Sequence, residues 1–167
     1  MDLGRFYRHA VNGLWSIRRA FPADAMVAIE REIRATEATH RGEIVFAVQG
    51  SLDFQRLWQG TSARERALEV FSDLRIWDTE HSNGVLIYLL LADRDVEIVA
   101  DRGIHRCCGA EVWEDICGRM EAEFRAGRFE AGVMLGVRTV GEHLARHYPG
   151  DGTNPNELGD KPVVIHR

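Results

Sequence analysis

The sequence is poor in cysteine, and that scarcity excludes one class of protein. Its three cysteines, Cys107, Cys108 and Cys117, are odd in number and two are adjacent. No disulfide framework is expected, and a reducing compartment is the simpler setting. Long apolar runs are missing too. No stretch approaches the ~18 residues of a membrane span. Near the N-terminus Arg5, Arg8 and Asn12 interrupt any apolar signal core, and no small-x-small cleavage site follows. These features lead us to expect a cytoplasmic protein. Positive charge is in deficit: a net charge of −5 argues against nucleic acid, whose binders usually present a net basic face. The sequence has no internal repeat, low-complexity segment, P-loop or twelve-residue calcium loop. No Ser/His/Asp triad can be argued, since Ser51 lacks a nucleophile-elbow context.

What is present reads as one soluble globular domain of 167 residues, 45% hydrophobic and 28% charged. The charge is uneven. Residues 1–21 carry Arg5, Arg8, Arg18 and Arg19 against Asp2, a net of +3, which leaves −8 for the remainder. Phe6, Tyr7 and Trp15 are mixed with these arginines over 3–20. A basic amphipathic helix there would either meet an anionic membrane surface or a protein partner, or pack its aromatic side on the domain.

Phe21-Pro22 ends that segment. Met26, Ile29, Ile33 and Thr36 recur at helical spacing and predict a helix over 23–39. "EIVFAV" (43–48) predicts a buried strand, and 52–60 a connection. Ser62 and Glu65 form a capping box, opening a helix that turns Ala67, Val70, Phe71 and Leu74 inward and gives way near Arg75. "GVLIYLLLA" (84–92) has no wet face, so it should be a central strand covered on both sides. Residues 93–95 read as a tight turn and 96–101 as the antiparallel return strand, ended by Gly103. Helices follow over 109–126 and 128–147. Gly132 and Gly136 on the second should allow close approach to the sheet. Residues 149–167, rich in Pro and Gly, read as an extended C-terminal tail outside the core. The expected fold class is α/β: a small mixed β-sheet, with a parallel β-α-β unit plus an antiparallel hairpin, sandwiched between helices. The expected organisation is an N-terminal segment 1–21, an α/β domain 22–148 and the tail.

The stretch "NGVLIYLLLADRDVEIVADRGI", with the later "FRAGRFEAGVMLGV", resembles the TPM domain family. The N-G-V-L strand leads into a charged turn and a strand ending in a G-x-x motif. Phe124, Gly127, Phe129 and Gly132 match an F-x-x-G-x-[FY]-x-x-G pattern, and Arg75-Ile76-Trp77 matches R-x-W. The likeness covers roughly 43–147. It implies an α/β sandwich. It also implies two properties assigned to some members, acid phosphatase activity and binding of divalent cations such as calcium or magnesium. Secreted or membrane-anchored members carry a signal peptide and often a C-terminal membrane segment; we see neither in this sequence.

"WDTEHSNG" (77–84) crowds acceptors and metal-ligand groups in front of the most apolar strand. If the hairpin turn centres on 93–95, paired residue numbers sum to about 188, which sets Asp101 near Ile87 and His105 near Asn83. The loop 78–83 then meets 101–105 at one end of the sheet, beside a helix starting near Gly109 whose free N–H groups favour anions. Asp78, Glu80, His81 and Asp101 are the candidate ligands of a calcium or magnesium ion. His81 is the candidate general acid or base, and Arg102 or Arg106 the candidate phosphate contact. The alternative is a polar turn whose Asp78 and Asn83 cap local backbone. Asp93 and Asp95 suit a turn. Cys107-Cys108 at a helix start could be a reactive, low-pKa pair, and with His105 and Cys117 they hint at zinc in a spacing that matches no standard site. The expected function is a divalent-cation-binding or interaction module; the alternative is a metal-dependent phosphatase-like hydrolase.

Overall fold

In the computed structural model, which describes residues 3–152 and 155–166, the chain opens with α1 (Leu3–Val11), α2 (Leu14–Ala20) and α3 (Ala23–Glu37). Then come β1 (Glu43–Gln49), α4 (Phe54–Trp58), α5 (Ala63–Asp73), β2 (Gly84–Leu90) and β3 (Asp95–Ala100). It closes with α6 (Arg102–Cys108), α7 (Ala110–Arg125), α8 (Phe129–His147) and β4 (Val163–Ile165). The strands form one sheet in the order β3-β2-β1-β4. β1 lies parallel to both β2 and β4, and β2 is antiparallel to β3.

Every residue of β1 and β2 is buried, as runs without a wet face require. Alternation divides their side chains between two layers. Ile44, Phe46, Val48, Val85, Ile87 and Leu89 face α3, α7 and α8. Val45, Ala47, Leu86, Tyr88 and Leu90 face α4 and α5. Each valine, leucine, isoleucine or phenylalanine among them taken fully out of water contributes about 1.5–3 kcal/mol. α5 opens on the capping box: Ser62 accepts from the Glu65 N–H, while Glu65 accepts from the Ser62 N–H.

Several expectations are corrected. The 3–20 segment is two helices, broken at Asn12-Gly13, where the chain passes so close that a Cβ on Gly50 would lie 2.7 Å from the Gly13 carbonyl. The 52–60 connection contains α4, started by Asp53, whose side chain accepts the Arg56 N–H. Gly103 does not end a strand; it sits inside α6, where the backbone of His81 and Ser82 leaves no room for a Cβ. Gly132 and Gly136 approach α7 rather than the sheet, lying against Phe124 and Met120. Phe124 and Phe129 stack at 5.6 Å and Gly127 has φ 77°, so the F-x-x-G-x-F-x-x-G pattern is the packing and turn chemistry of the α7–α8 hairpin.

The largest correction concerns the tail. Val163–Ile165 joins the sheet as β4, paired with Ala47–Gln49, and Leu158, Val163 and Ile165 pack on the α5 layer. Three β-branched residues behind a Pro/Gly-rich stretch form a strand because an edge of β1 lies open beside them. The hairpin register also shifts. Val85 pairs with Ala100 and Leu90 with Asp95, so paired numbers sum to 185. The turn lies at Leu91–Arg94, with Arg94 at φ 53°, and the Asp93 N–H donates to the Leu90 carbonyl.

Candidate functional site

The loop before β2 does meet the start of α6, through backbone. The Ser82 carbonyl accepts from the N–H groups of Gly103 (2.9 Å) and Ile104 (3.4 Å), and the Asp101 N–H donates to the Gly84 carbonyl. Asp101 therefore lies opposite Gly84, not Ile87. Gly84 is required there, since a Cβ would lie 2.2 Å from the Ile76 carbonyl. The helix end at this loop belongs to α6, not to the helix after Gly109, and Asp101 caps it by accepting the Arg102 N–H (2.7 Å).

The predicted ligands have other engagements. Asp78 pairs with Arg75 at 2.8 Å on the surface. Glu80 is exposed, its N–H donating to the Glu157 carboxylate (3.1 Å), and its own carboxylate lies 3.9 Å from His81 Nε2. His81, Arg102 and Arg106 are exposed. Among the described residues, no group of three or more His, Cys, Asp or Glu could hold a metal ion. Two buried oxygens nevertheless lack a partner here, Asn83 Oδ1 and Asp101 Oδ2; Asn83 uses its Nδ2 on the Arg41 carbonyl (3.1 Å). The cysteines are all free. Burial pushes the Cys108 thiol up and Cys117 up to about 12, the opposite of the activation expected for a reactive Cys108.

The opposite end of the sheet holds an arrangement that sequence reasoning missed. At the β2–β3 turn Asp93 accepts from Arg5 Nε (3.0 Å) and lies 3.1 Å from His9 Nε2 and 3.5 Å from Arg8 Nη2. His9, almost wholly buried, accepts the Leu52 N–H on Nδ1 (3.0 Å), which fixes its proton on Nε2 facing Asp93. His9 Nδ1 is taken by the Leu52 N–H and its Nε2 faces Asp93, while the Ser51 Oγ is buried without a partner. Burial alone would raise the Asp93 carboxyl, but His9 and Arg5 overcome it and hold the group at about 2. The network clamps α1 to the sheet. The legible hint is the i, i+4 spacing of Arg5 and His9, which puts both on one helix face.

Beside this clamp, α2, the turn and Gly127 enclose a cleft of about 830 Å³ lined by Arg8, Arg19 and Arg94 with Asn12, Trp15 and Ser16. Asp93 supplies its acid, and that acid is already answered by Arg5 and His9. Arg19 lies over the Trp15 ring at 5.5 Å and Arg94 over Phe129 at 6.0 Å. Exposed apolar side chains stand on three helices: Leu3, Tyr7 and Val11 on α1, Leu14 and Trp15 on α2, Phe54 and Trp58 on α4. Phe6 and Phe54, 5.7 Å apart, join α1 to α4.

Comparison with known proteins agrees with this architecture. No curated protein sequence matches the chain. The NMR structure of BA42 protein from the psychrophilic bacterium Bizionia argentinensis superposes with a TM-score of 0.76 at 26% identity, covering 87% of this chain and 95% of that one. The N-terminal domain of a protein from P. gingivalis shares the fold, with a TM-score of 0.61 at 20% identity over 77% of this chain and 81% of that one. The TPM domain profile matches residues 19–143. The chain belongs to the TPM domain family.

Proposed function

We propose that this TPM domain is an interaction module that docks on an anionic membrane surface through α1, α2 and α4. The observation that supports it is the set of exposed aromatic and aliphatic side chains on these helices, Trp15 at 68% and Tyr7 at 71% among them, together with a cleft of three arginines that Trp15 lines. Aromatic rings favour the headgroup level of a bilayer, and arginines beside them meet lipid phosphates. No helix among the described residues is long and apolar enough to cross a membrane, so contact on this reading is peripheral. Cosedimentation with phosphatidylcholine vesicles, with and without phosphatidylglycerol, tests it. Binding should require the anionic lipid. Arg8→Ala with Arg19→Ala should weaken it by about 2 kcal/mol, since each cation near an anionic leaflet is worth about 1 kcal/mol. Equal recovery with both vesicle types, or capture of a protein partner by the same face in their place, would reject the membrane reading.

A second reading is a divalent cation at the 78–83 loop, with phosphatase-like hydrolysis built on it. It is supported by the two unpartnered buried oxygens, Asn83 Oδ1 and Asp101 Oδ2, since calcium and magnesium take oxygen ligands. Neighbouring carbonyls and water would have to complete the shell. An NMR titration with calcium and with magnesium should shift Asn83 and Asp101 saturably, and an Asp101→Asn variant should lose both the shifts and any turnover of a chromogenic phosphate ester. Unmoved resonances would remove the reading.

A further inference from the structure

α2 stands between two clefts. At about 100° per residue along a helix, Trp15, Ser16, Arg19 and Ala20 fall on one side of α2 and line the arginine cleft. Leu14, Ile17 and Arg18 fall on the other side and line a second cleft of about 650 Å³. That volume lies within the roughly 300–1,000 Å³ of small-molecule sites. The two clefts have no lining residue in common.

The second cleft is a notch in the core. Ile17 and Phe21, 3% and 2% exposed, form its floor. Phe21 is held edge-on to Phe46 and Phe129, with ring centroids 5.6 and 6.0 Å away. Met26 on α3 and Val164 on β4 pack on the same core and flank the floor. The mouth is basic. Arg18 and His166 line it, both exposed, and no described Asp or Glu does, in a chain of net charge −5. Arg34 on α3 is answered by Glu30 and Asp160, whereas Arg18 has no carboxylate partner among the described residues. α3 also starts at this cleft, with Pro22 as an N-cap that brings no side-chain hydrogen bond, so its first N–H groups add to the positive potential. Asp24 in that turn is exposed and does not line the cleft.

We propose that this cleft binds a free long-chain fatty acid, with its chain on Ile17, Phe21, Met26 and Val164 and its carboxylate at Arg18 and His166. The ligand has to be an amphiphile because an apolar floor and a basic mouth lie side by side. A neutral hydrocarbon would leave the guanidinium unanswered, and a small anion would leave the floor wet. Burial of the chain gives the affinity. The guanidinium, which can take a carboxylate through two parallel N–H donors, gives the orientation. The proposal does not rest on the membrane reading, whose arginines line the cleft on the opposite side of α2.

The test titrates the full chain with monomeric laurate, and with decanoate and dodecanol as controls, followed by methyl and amide NMR shifts. Laurate should shift Ile17, Met26 and Val164 saturably. Each methylene removed from water is worth about fourfold in affinity, so laurate should bind roughly tenfold tighter than decanoate. Dodecanol, which lacks the charge, should bind about threefold weaker than laurate. Arg18→Gln should remove that difference while leaving dodecanol binding unchanged, a split that a general loss of structure would not give. Ala23 is exposed at the first position of α3, so Ala23→Phe fills the cleft from outside the core and should abolish the shifts at unchanged Tm. Arg8→Ala with Arg19→Ala, which tests the membrane reading, should leave laurate binding as it is. Equal affinity for laurate and dodecanol, no gain from decanoate to laurate, or laurate binding retained in Ala23→Phe would each overturn the proposal. So would shifts of Met26 and Val164 given by phosphatidylglycerol vesicles and not by laurate, which would make a bilayer lipid the source of the chain.

Discussion

The two ends of the central strands are closed by opposite charges. At the carboxyl end, beyond Leu90, the acid Asp93 is surrounded by Arg5, Arg8 and His9, and cations outnumber it. At the amino end the carboxylates predominate. Glu37 accepts the Ile44 N–H (2.8 Å), and Glu43 accepts the N–H groups of Glu157 (3.1 Å) and Leu158 (3.0 Å). Asp160 accepts from Arg34 Nε (3.0 Å) and Asn156 Nδ2 (2.9 Å). One end latches the N-terminal helices and turns aromatics to solvent. The other latches the C-terminal segment and leads it into β4. The difference teaches where each terminus draws its stability. α1 is held by charge compensation around one carboxylate, whereas residues 157 and 158 are held by backbone N–H groups delivered to the buried Glu43 carboxylate, with Asp160 tied to Arg34 beside them.

The electrostatic consequence is opposite for the carboxylates of the two ends. Asp93 is held at about 2, below its ordinary value, so its contribution is present above about pH 4 and lost as the pH falls through about 2. Burial raises Glu37 to about 9, with Glu43 and Asp160 adding to it. That contribution is full below about pH 4.5 and is lost as the pH rises through about 9. His40, also at the amino end, is lowered to about 4 by burial, so its contribution is full above about 6.5 and lost as the pH falls through about 4.

The comparison can be broken from either side. The largest effect is expected from Asp93→Ala, which leaves Arg5 without its counter-charge and takes away the carboxylate that faces His9 Nε2. Removing the acceptor of charged hydrogen bonds in this part-buried cluster costs about 1.5–3 kcal/mol, to be read by urea denaturation. Hydrogen exchange should show α1 released while β4 stays protected. Glu43→Ala should do the reverse. It orphans two N–H groups at a cost of about 1–3 kcal/mol and should open residues 155–166 to protease, with α1 unaffected. Glu37→Gln keeps the hydrogen-bonding shape of the protonated acid, so it should change little at pH 5 and raise Tm by about 2–4 °C at pH 8, equivalent to ~1 kcal/mol. An unchanged pH dependence of Tm would contradict the assignment of Glu37. The smallest effect belongs to the exposed Arg75–Asp78 pair: Arg75→Ala should shift stability by under ~1 kcal/mol, marking the 78–83 loop as peripheral to both latches.

The sheet was readable because its strands are extreme. "EIVFAV" and "GVLIYLLL" have no face to offer water, and Ser62-x-x-Glu65 satisfies its own helix start within four residues. The family was readable because its motif is local packing, Phe124 on Phe129 with Gly132 beneath. The latches were not readable. Asp93 looks like a turn residue until His9 and Arg5 arrive from far along the chain. Glu37 and Glu43 look like surface acids until residues 157–160 cover them. β4 is three residues long, too short for a period to show, and α6 was hidden because Gly103 reads as a stop while its close contact with Ser82 makes it a packing residue. The 78–83 loop was placed against residues 101–105 correctly, but the helix that starts there is α6 rather than one beginning near Gly109, Asp78 is spent on Arg75, and Asp101 on capping.

The claim that the basic, aromatic end is the working face of this domain is tested most directly by hydrogen–deuterium exchange of the full chain with phosphatidylglycerol vesicles. The account predicts added protection over residues 3–20 and 54–58, lost at high salt because screening shortens the reach of the arginines, with residues 155–166 unchanged. No protection at the N-terminal helices, or protection confined to the acidic end, would contradict it.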